Sequence, residues 1–263
     1  MSVIGLSADK IKHLLKIDSK VMLFESLEST NLFAKELAAS GKACEGDIII
    51  ALSQTYGRGR LGRSFYSPAC CGVYFSIVLK PNIPINDISL ITPIAALAVV
   101  TAIEKATNKS PKIKWVNDIF LNGKKVCGIL SEAAFTADGI GSYVILGVGI
   151  NLVSPKGGYP EDIKNIAGSI FEYEEVFDAN CLVASITNNF FDFYKALTNK
   201  ALPIEYRKRM MLIGENINYT ANNLKKSGRV VDIDNSFRLI VEAESGETEA
   251  LQSGEVTIGS GNI

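Results

Sequence analysis

The chain has 263 residues, enough for one large domain or one domain with a small companion, and a net charge of −1. That near-neutral balance excludes a nucleic-acid binder held by bulk electrostatics. Five cysteines (Cys44, Cys70, Cys71, Cys127 and Cys181) without a C-x-x-C pair argue against a zinc site or disulfide framework. They read instead as small buried residues in a reducing, cytoplasmic setting.

The N-terminus lacks the apolar core of a targeting signal. His13, the single histidine, lies in a short amphipathic stretch and reads as a surface or packing residue. With no other histidine, Ser–His triads and histidine-rich metal sites lose their support. Val21 to Phe24 predicts a strand. Ser29-Thr30-Asn31 supplies cap-type residues for a helix from Leu32 to Ala39. Asp47 to Leu52 predicts a second strand and Gly72 to Leu79 a third. Between them lies Gly57-Arg58-Gly59-Arg60-Leu61-Gly62-Arg63. Its glycines satisfy G-x-G-x-x-G, but that fingerprint requires a helix to open on it. Here Ser64 to Pro68 leads into a strand, so a dinucleotide-binding reading fails.

The longest apolar stretch, Ile88 to Ala106, is interrupted by Ser89, Thr92, Pro93, Thr101, Glu104 and Lys105, and reads as a buried helix rather than a membrane span. Thr92 is expected to cap it, with Pro93 at its first position. Lys112 to Trp115 predicts a short strand. Asn122-Gly123 predicts a type I′ hairpin turn whose returning arm runs from Lys124 to Ala134. Asp138-Gly139 predicts another turn before a strand from Tyr143 to Leu152. Asp178 to Leu197 carries apolar residues at helical spacing. From Asn216 onward the pattern changes to short alternating strands and glycine turns, which suggests a small barrel. The fold class is therefore α+β: a mixed sheet backed by helices over residues 1–212, then a small β-barrel over 213–263.

A constellation of segments points to an anionic ligand. The basic loop offers glycine for close approach and arginines crowded together, which repel one another until an anion arrives. Lys114-Trp115-Val116-Asn117-Asp118 ends a strand with a cation, an amide and a carboxylate. Lys125 stands on the returning arm. Gly147 and Gly149 share one strand face and leave a bare strip of backbone on which a flat polar ring can lie. Each segment alone also reads structurally, as an N-cap, a turn, a solvated hairpin pair or a bulge. Their co-occurrence favours the ligand reading.

The segments Ser29-Thr30-Asn31, Gln54 with Gly57 to Arg63, Lys114 to Asp118, Gly128-Ile129-Leu130-Ser131-Glu132 and Gly147-Val148-Gly149-Ile150-Asn151 resemble, in order and near the usual spacing, the signature of biotin–protein ligases. The resemblance spans roughly residues 21 to 258. It implies a catalytic domain related to class II aminoacyl-tRNA synthetases, followed by an SH3-like domain. It further implies an enzyme using ATP and Mg²⁺ that forms biotinyl-5′-AMP and passes biotin to a lysine of a biotin carboxyl carrier protein. Carried over residue by residue, Ser29, Thr30, Asn31, Gln54, Gly57, Arg58, Gly59, Arg60, Lys125, Gly147 and Gly149 bind biotin or its adenylate. Arg60, Arg63, Lys114, Asn117 and Asn151 lie toward ATP. Arg58, Lys114, Asp118 and Lys125 form the catalytic set, with Asp118 a candidate for receiving the acceptor's proton or approaching the metal, whose ligands the sequence does not name. Val116 departs from the family's usual proline without removing a reacting group. About twenty residues precede the first strand, so the expectation is a monofunctional form without a DNA-binding module, binding neither DNA nor membrane, with a homodimer left open. The rival readings are a lipoate or octanoate ligase of the same superfamily, and a biotin-sensing protein without turnover.

Overall fold

Seven of the apolar runs assemble into one sheet in the computed structural model, which describes residues 5–135, 142–173, 175–197, 199–221, 224–252, 254 and 256–258. The strands are β1 (Val21–Phe24), β2 (Ile48–Ala51), β3 (Gly72–Leu79), β4 (Lys112–Lys114), β5 (Asp118–Leu121), β6 (Lys124–Phe135) and β7 (Ser142–Asn151). Their order is β1-β2-β3-β7-β6-β5-β4. β1 and β2 run parallel and the other neighbours antiparallel, so the sheet is mixed. Asn122 and Gly123 both take positive φ at the tip of the β5–β6 hairpin, as a type I′ turn requires. The turn expected at Asp138-Gly139 lies outside the described residues.

Helices cover both faces. α1 (Ala8–Leu14), α3 (Ile91–Thr107) and α4 (Ala179–Lys195) share a core with Phe75, Ile77, Leu79, Val144, Leu146, Val148 and Ile150. α2 (Thr30–Ala39) packs Ala34 and Ala38 on Ile49, Val78 and Ile145 of the opposite face. Two-residue alternation along β7 thus sends even-numbered side chains to one layer and odd-numbered ones to the other. His13 is exposed on α1.

Two expectations need correction, and one helix went unforeseen. Thr92 does not cap α3: the helix starts at Ile91 after a 3-10 turn, Ile85–Leu90, and Pro93 is its third residue. A proline is tolerated there because first-turn N–H groups have no intrahelical acceptor. The hydroxyl of Thr92 instead donates to Ser131 Oγ at 3.0 Å. The cysteines are all free, but only Cys127 is buried; Cys44, Cys70 and Cys181 are exposed. A further helix, α5 (Ala201–Arg209), carries Pro203 in its first turn and lacks a clear apolar stripe, which hid it in the sequence. It buries Leu202 and Tyr206 in the core, and Arg209 adds a polar clasp on both carboxylate oxygens of Glu104 at 2.9 Å and on Glu205 at 2.7 Å.

The C-terminal strands β8 (Asn216–Ala221), β9 (Leu224–Ile233), β10 (Leu239–Glu242), β11 (Thr248–Leu251) and β12 (Val256–Ile258) form an antiparallel sheet in the order β11-β10-β9-β8-β12. This sheet is not an independent bead. Ile217, Val230, Leu239 and Val241 join the same core as Ile113 and Trp115. The buried indole N–H of Trp115 donates to Phe237 O at 2.9 Å. Trp115→Phe should therefore destabilise the protein by about 1–3 kcal/mol, because it leaves the Phe237 carbonyl unpaired. Urea unfolding measures this, and a loss below about 0.5 kcal/mol would show that the bond does not anchor the sheet.

Candidate active site

On the α2 face of the sheet, β7 presents Tyr143 and Ile145 beneath the helix, then Gly147 and Gly149 beyond its N-terminus. Where the helix ends and the side chains vanish, a cleft of about 470 Å³ opens. Its inner wall is the start of α2. Ser29 caps that helix. Gln54 Oε1 accepts from the Thr30 amide at 2.9 Å and from its hydroxyl at 3.2 Å, while Gln54 Nε2 donates to Ser67 Oγ at 2.9 Å. Ser76, fully buried on β3, donates to Asn31 Oδ1 at 2.6 Å, and its oxygen lies 2.8 Å from Thr30 Oγ1. The short polar side chains are thus locked to one another before any ligand arrives, the arrangement a rigid recognition site needs.

The glycine floor is not bare as expected. The Phe65 ring lies on it: a Cβ at Gly149 would stand 2.6 Å from that ring, and one at Gly128 2.9 Å. Tyr74 meets Phe65 edge to face at 6.3 Å. Gly57 is required by the loop's own packing. A Cβ there would fall 2.3 Å from Phe65 O and 2.5 Å from Ser67 Oγ, and Gly57 does not line the cleft.

Arg58 and Arg60 part company, while Arg60 and Arg63 line one cleft. The loop folds back on itself through Gly59 N to Arg63 O at 2.7 Å, with Leu61 and Gly62 at positive φ. This turns the side chains apart. Arg58 reaches Glu132 at 3.2 Å, whereas Arg60 donates to Asn117 Oδ1 at 2.9 Å and to Gly254 O at 3.3 Å. Lys35 also reaches Glu132, at 2.7 Å. Burial pushes the Glu132 carboxyl up. Hydrogen bonds from Lys35 and Asn31, with the charges of Lys35 and Arg58, outweigh that and hold it below the ordinary carboxylate value.

A second cleft, about 760 Å³, adjoins the first. It gathers Arg63, Lys114 and Asp118, with Gly254, Val256 and Thr257 from the C-terminal region. Gly59, Arg60, Phe65, Asn117 and Lys125 line both clefts. Lys125 stands at that junction with its ammonium 2.7 Å from Asp118 Oδ1, and Asn117 Nδ2 donates to the same oxygen at 3.0 Å. Asp118 is thus a paired anchor, which disfavours the proton-accepting role expected of it. The peptide bond joining Trp115 to Val116 is cis. Asn151 departs from its expected place. It lines neither cleft, and its amide donates to Gly168 O at 3.0 Å.

Sequence reasoning missed Phe65, Lys35, Ser76 and Glu132 as members of the site. Parity was the available signal for Glu132: it follows Gly128 by four residues on β6, so it faces the same way.

Residues 23–151 match the biotin/lipoate A/B protein ligase family, and residues 212–259 match the biotin protein ligase C-terminal domain. The bifunctional ligase/repressor BirA of Bacillus subtilis is 33% identical over 261 residues, which cover 97% of this chain and 79% of that protein. The biotin–[acetyl-CoA-carboxylase] ligase of Paracoccus denitrificans is 30% identical over 247 residues, covering 88% and 98% of the two chains. Among solved structures, the biotin protein ligase from Aquifex aeolicus in complex with biotin and ATP superposes with a TM-score of 0.77 at 27% identity, covering 90% of this chain and 97% of that one. With the glycine-floored cleft, the cationic cleft beside it and the C-terminal region that lines the second of them, these matches show that the chain belongs to the biotin protein ligase family.

Proposed function

We propose that the two adjoining clefts divide the substrates of a two-step ligation, with biotin in the glycine-floored cleft, against the Phe65 ring that covers part of its floor, and ATP in the cationic cleft. The observation that carries this reading is their shared lining: Arg60 and Lys125 stand where the ends of two substrates meet. The biotin carboxylate, ionised at neutral pH, attacks the α-phosphate of ATP, forming the biotinyl-AMP anhydride and releasing pyrophosphate. No general base is required. Positioning and cationic stabilisation of the charge around phosphorus suffice, from Lys125, Arg60 and, at the outer end, Lys114 and Arg63. The amine of an acceptor lysine then attacks the anhydride carbonyl, forming an amide and releasing AMP. Asp118 acts in both steps by holding Lys125.

Among the described residues no group of three or more His, Cys, Asp or Glu is placed to hold a metal ion, and the Asp118 carboxylate is already engaged by Lys125. These residues do not make a magnesium cage. The ion fits this site only as part of the substrate, carried on the phosphates of ATP. The acceptor we assign is a biotin carboxyl carrier domain, modified in a reducing compartment that suits five free thiols. The inner wall of Ser29, Thr30, Asn31 and Gln54 favours biotin over lipoate or octanoate, because a ureido ring can use the acceptor capacity that their mutual hydrogen bonds leave over, whereas an alkyl chain gains nothing from it.

Arg58 is assigned to retaining the intermediate. Arg58→Gly is expected still to make biotinyl-AMP but to release it at least about tenfold faster, since a charge-assisted contact contributes about 1.5–3 kcal/mol. Bystander lysines would then be biotinylated. Equal rates of adenylate dissociation in parent and variant would reduce Arg58 to a static contact. The transfer step is tested by offering the enzyme a carrier domain and its acceptor Lys→Arg variant with labelled biotin. Label on the lysine form alone supports the assignment, and equal label on both contradicts it.

A further inference from the structure

We propose that Glu132 is a positioning residue that fixes the Asn31 side-chain amide with its oxygen toward the ligand cleft, so that the site selects a ring bearing an N–H donor; this rests on biotin as the substrate. Asn31 is almost completely buried at the start of α2, and its two amide ends are spoken for differently. Nδ2 donates to Glu132 Oε2 at 2.8 Å and to Leu130 O at 3.4 Å. Oδ1 accepts from Ser76 at 2.6 Å and hangs over the floor, where a Cβ on Gly147 would lie 2.3 Å from it. An amide oxygen has two acceptor sites, so one remains for a ligand.

Ser76 cannot dictate this orientation, because a hydroxyl both donates and accepts and would serve a flipped amide equally well. An ionised carboxylate only accepts, so Glu132 tolerates nitrogen and rejects oxygen. Its charge is maintained by the neighbouring cations, which hold it below the ordinary carboxylate value. The two carboxylate oxygens are also used separately. Oε2 serves Asn31, whereas Lys35 and Arg58 both approach Oε1. When Arg58 leaves to meet an anionic adenylate, Lys35 still neutralises Oε1 and the bond to Asn31 is undisturbed. The anchor is therefore independent of the loop.

The test compares biotin with two cyclic-carbamate analogues, each having one ureido N–H replaced by oxygen, in binding to the parent and to Glu132→Leu. For the analogue whose oxygen faces Asn31, the parent is expected to discriminate by about tenfold or more, the worth of one hydrogen bond turned repulsive. In Glu132→Leu only the longer contact to the Leu130 carbonyl still opposes turning of the amide, and that ratio should fall at least about threefold from the parent's. Should unpaired cations prevent this variant from folding, Lys35→Met/Glu132→Leu removes one of them and is read in the same way. A variant that keeps the parent's ratio, whatever its overall affinity, overturns the positioning role. A parent that binds no biotin overturns the functional reading instead.

Discussion

Lys125→Ala should slow biotinyl-AMP formation by about 10- to 100-fold in single turnover, with little loss of stability. The ammonium stands at the junction of the clefts, where the carboxylate must meet the α-phosphate. Removing it takes away one charge-assisted contact, about 1.5–3 kcal/mol. It also strips Asp118 of its cation, leaving a carboxylate beside the incoming phosphates, with Asn117 Nδ2 still on it. Both effects oppose negative charge at phosphorus, so they add in the rate. The stability term is smaller, because Lys125 and Asp118 are each about a quarter exposed and such pairs contribute about 0–1 kcal/mol. Lys125→Arg should recover part of the rate, since it restores charge but spreads it over a planar fork. Adenylation by the alanine variant within threefold of the parent would remove Lys125 from the chemistry.

Gly149→Val should abolish biotin binding at concentrations that saturate the parent, while the protein remains folded. Its Cβ would stand 2.6 Å from the Phe65 ring, so Phe65 and its loop must yield, and the methyls then occupy the floor. The obstacle is the Phe65 side chain, which lines both clefts, rather than backbone, and that limits the folding cost to about 1–3 kcal/mol. Gly72→Ala is the internal contrast. Its Cβ would meet the backbone oxygen of Ile150 at 2.4 Å, inside the sheet, where neither strand can retreat. Thermal unfolding should therefore single out Gly72→Ala, and biotin titration should single out Gly149→Val. A collapsed melting temperature with intact affinity in Gly149→Val would reverse the argument.

The frame of this fold was legible because its strands alternate and its turns use the residues their geometry demands. Asn122-Gly123 and the cap at Ser29 read directly, and so did the shared face of Gly147 and Gly149. The parts that were not legible are set by contacts between distant segments. Nothing local places Phe65 on the glycines of β6 and β7, or sends Arg58 to Glu132 and Arg60 to Asn117. Asn151 misled because its position at the end of β7 is right, but its amide turns to Gly168 rather than to the clefts. α5 was hidden because it is short, carries Pro203 and buries only Leu202 and Tyr206 beside that proline, while the polar clasp of Arg209 on Glu104 completes its hold.

The central claim is that the glycine-floored cleft takes biotin and the neighbouring cationic cleft joins it to AMP. It is tested most directly by incubating the protein with ATP, Mg²⁺ and an equimolar mixture of biotin, lipoate and octanoate, and identifying the acyl-AMP by mass spectrometry. Biotinyl-AMP is the expected dominant product. Lipoyl-AMP or octanoyl-AMP in its place, or no adenylate from any of the three, would contradict it.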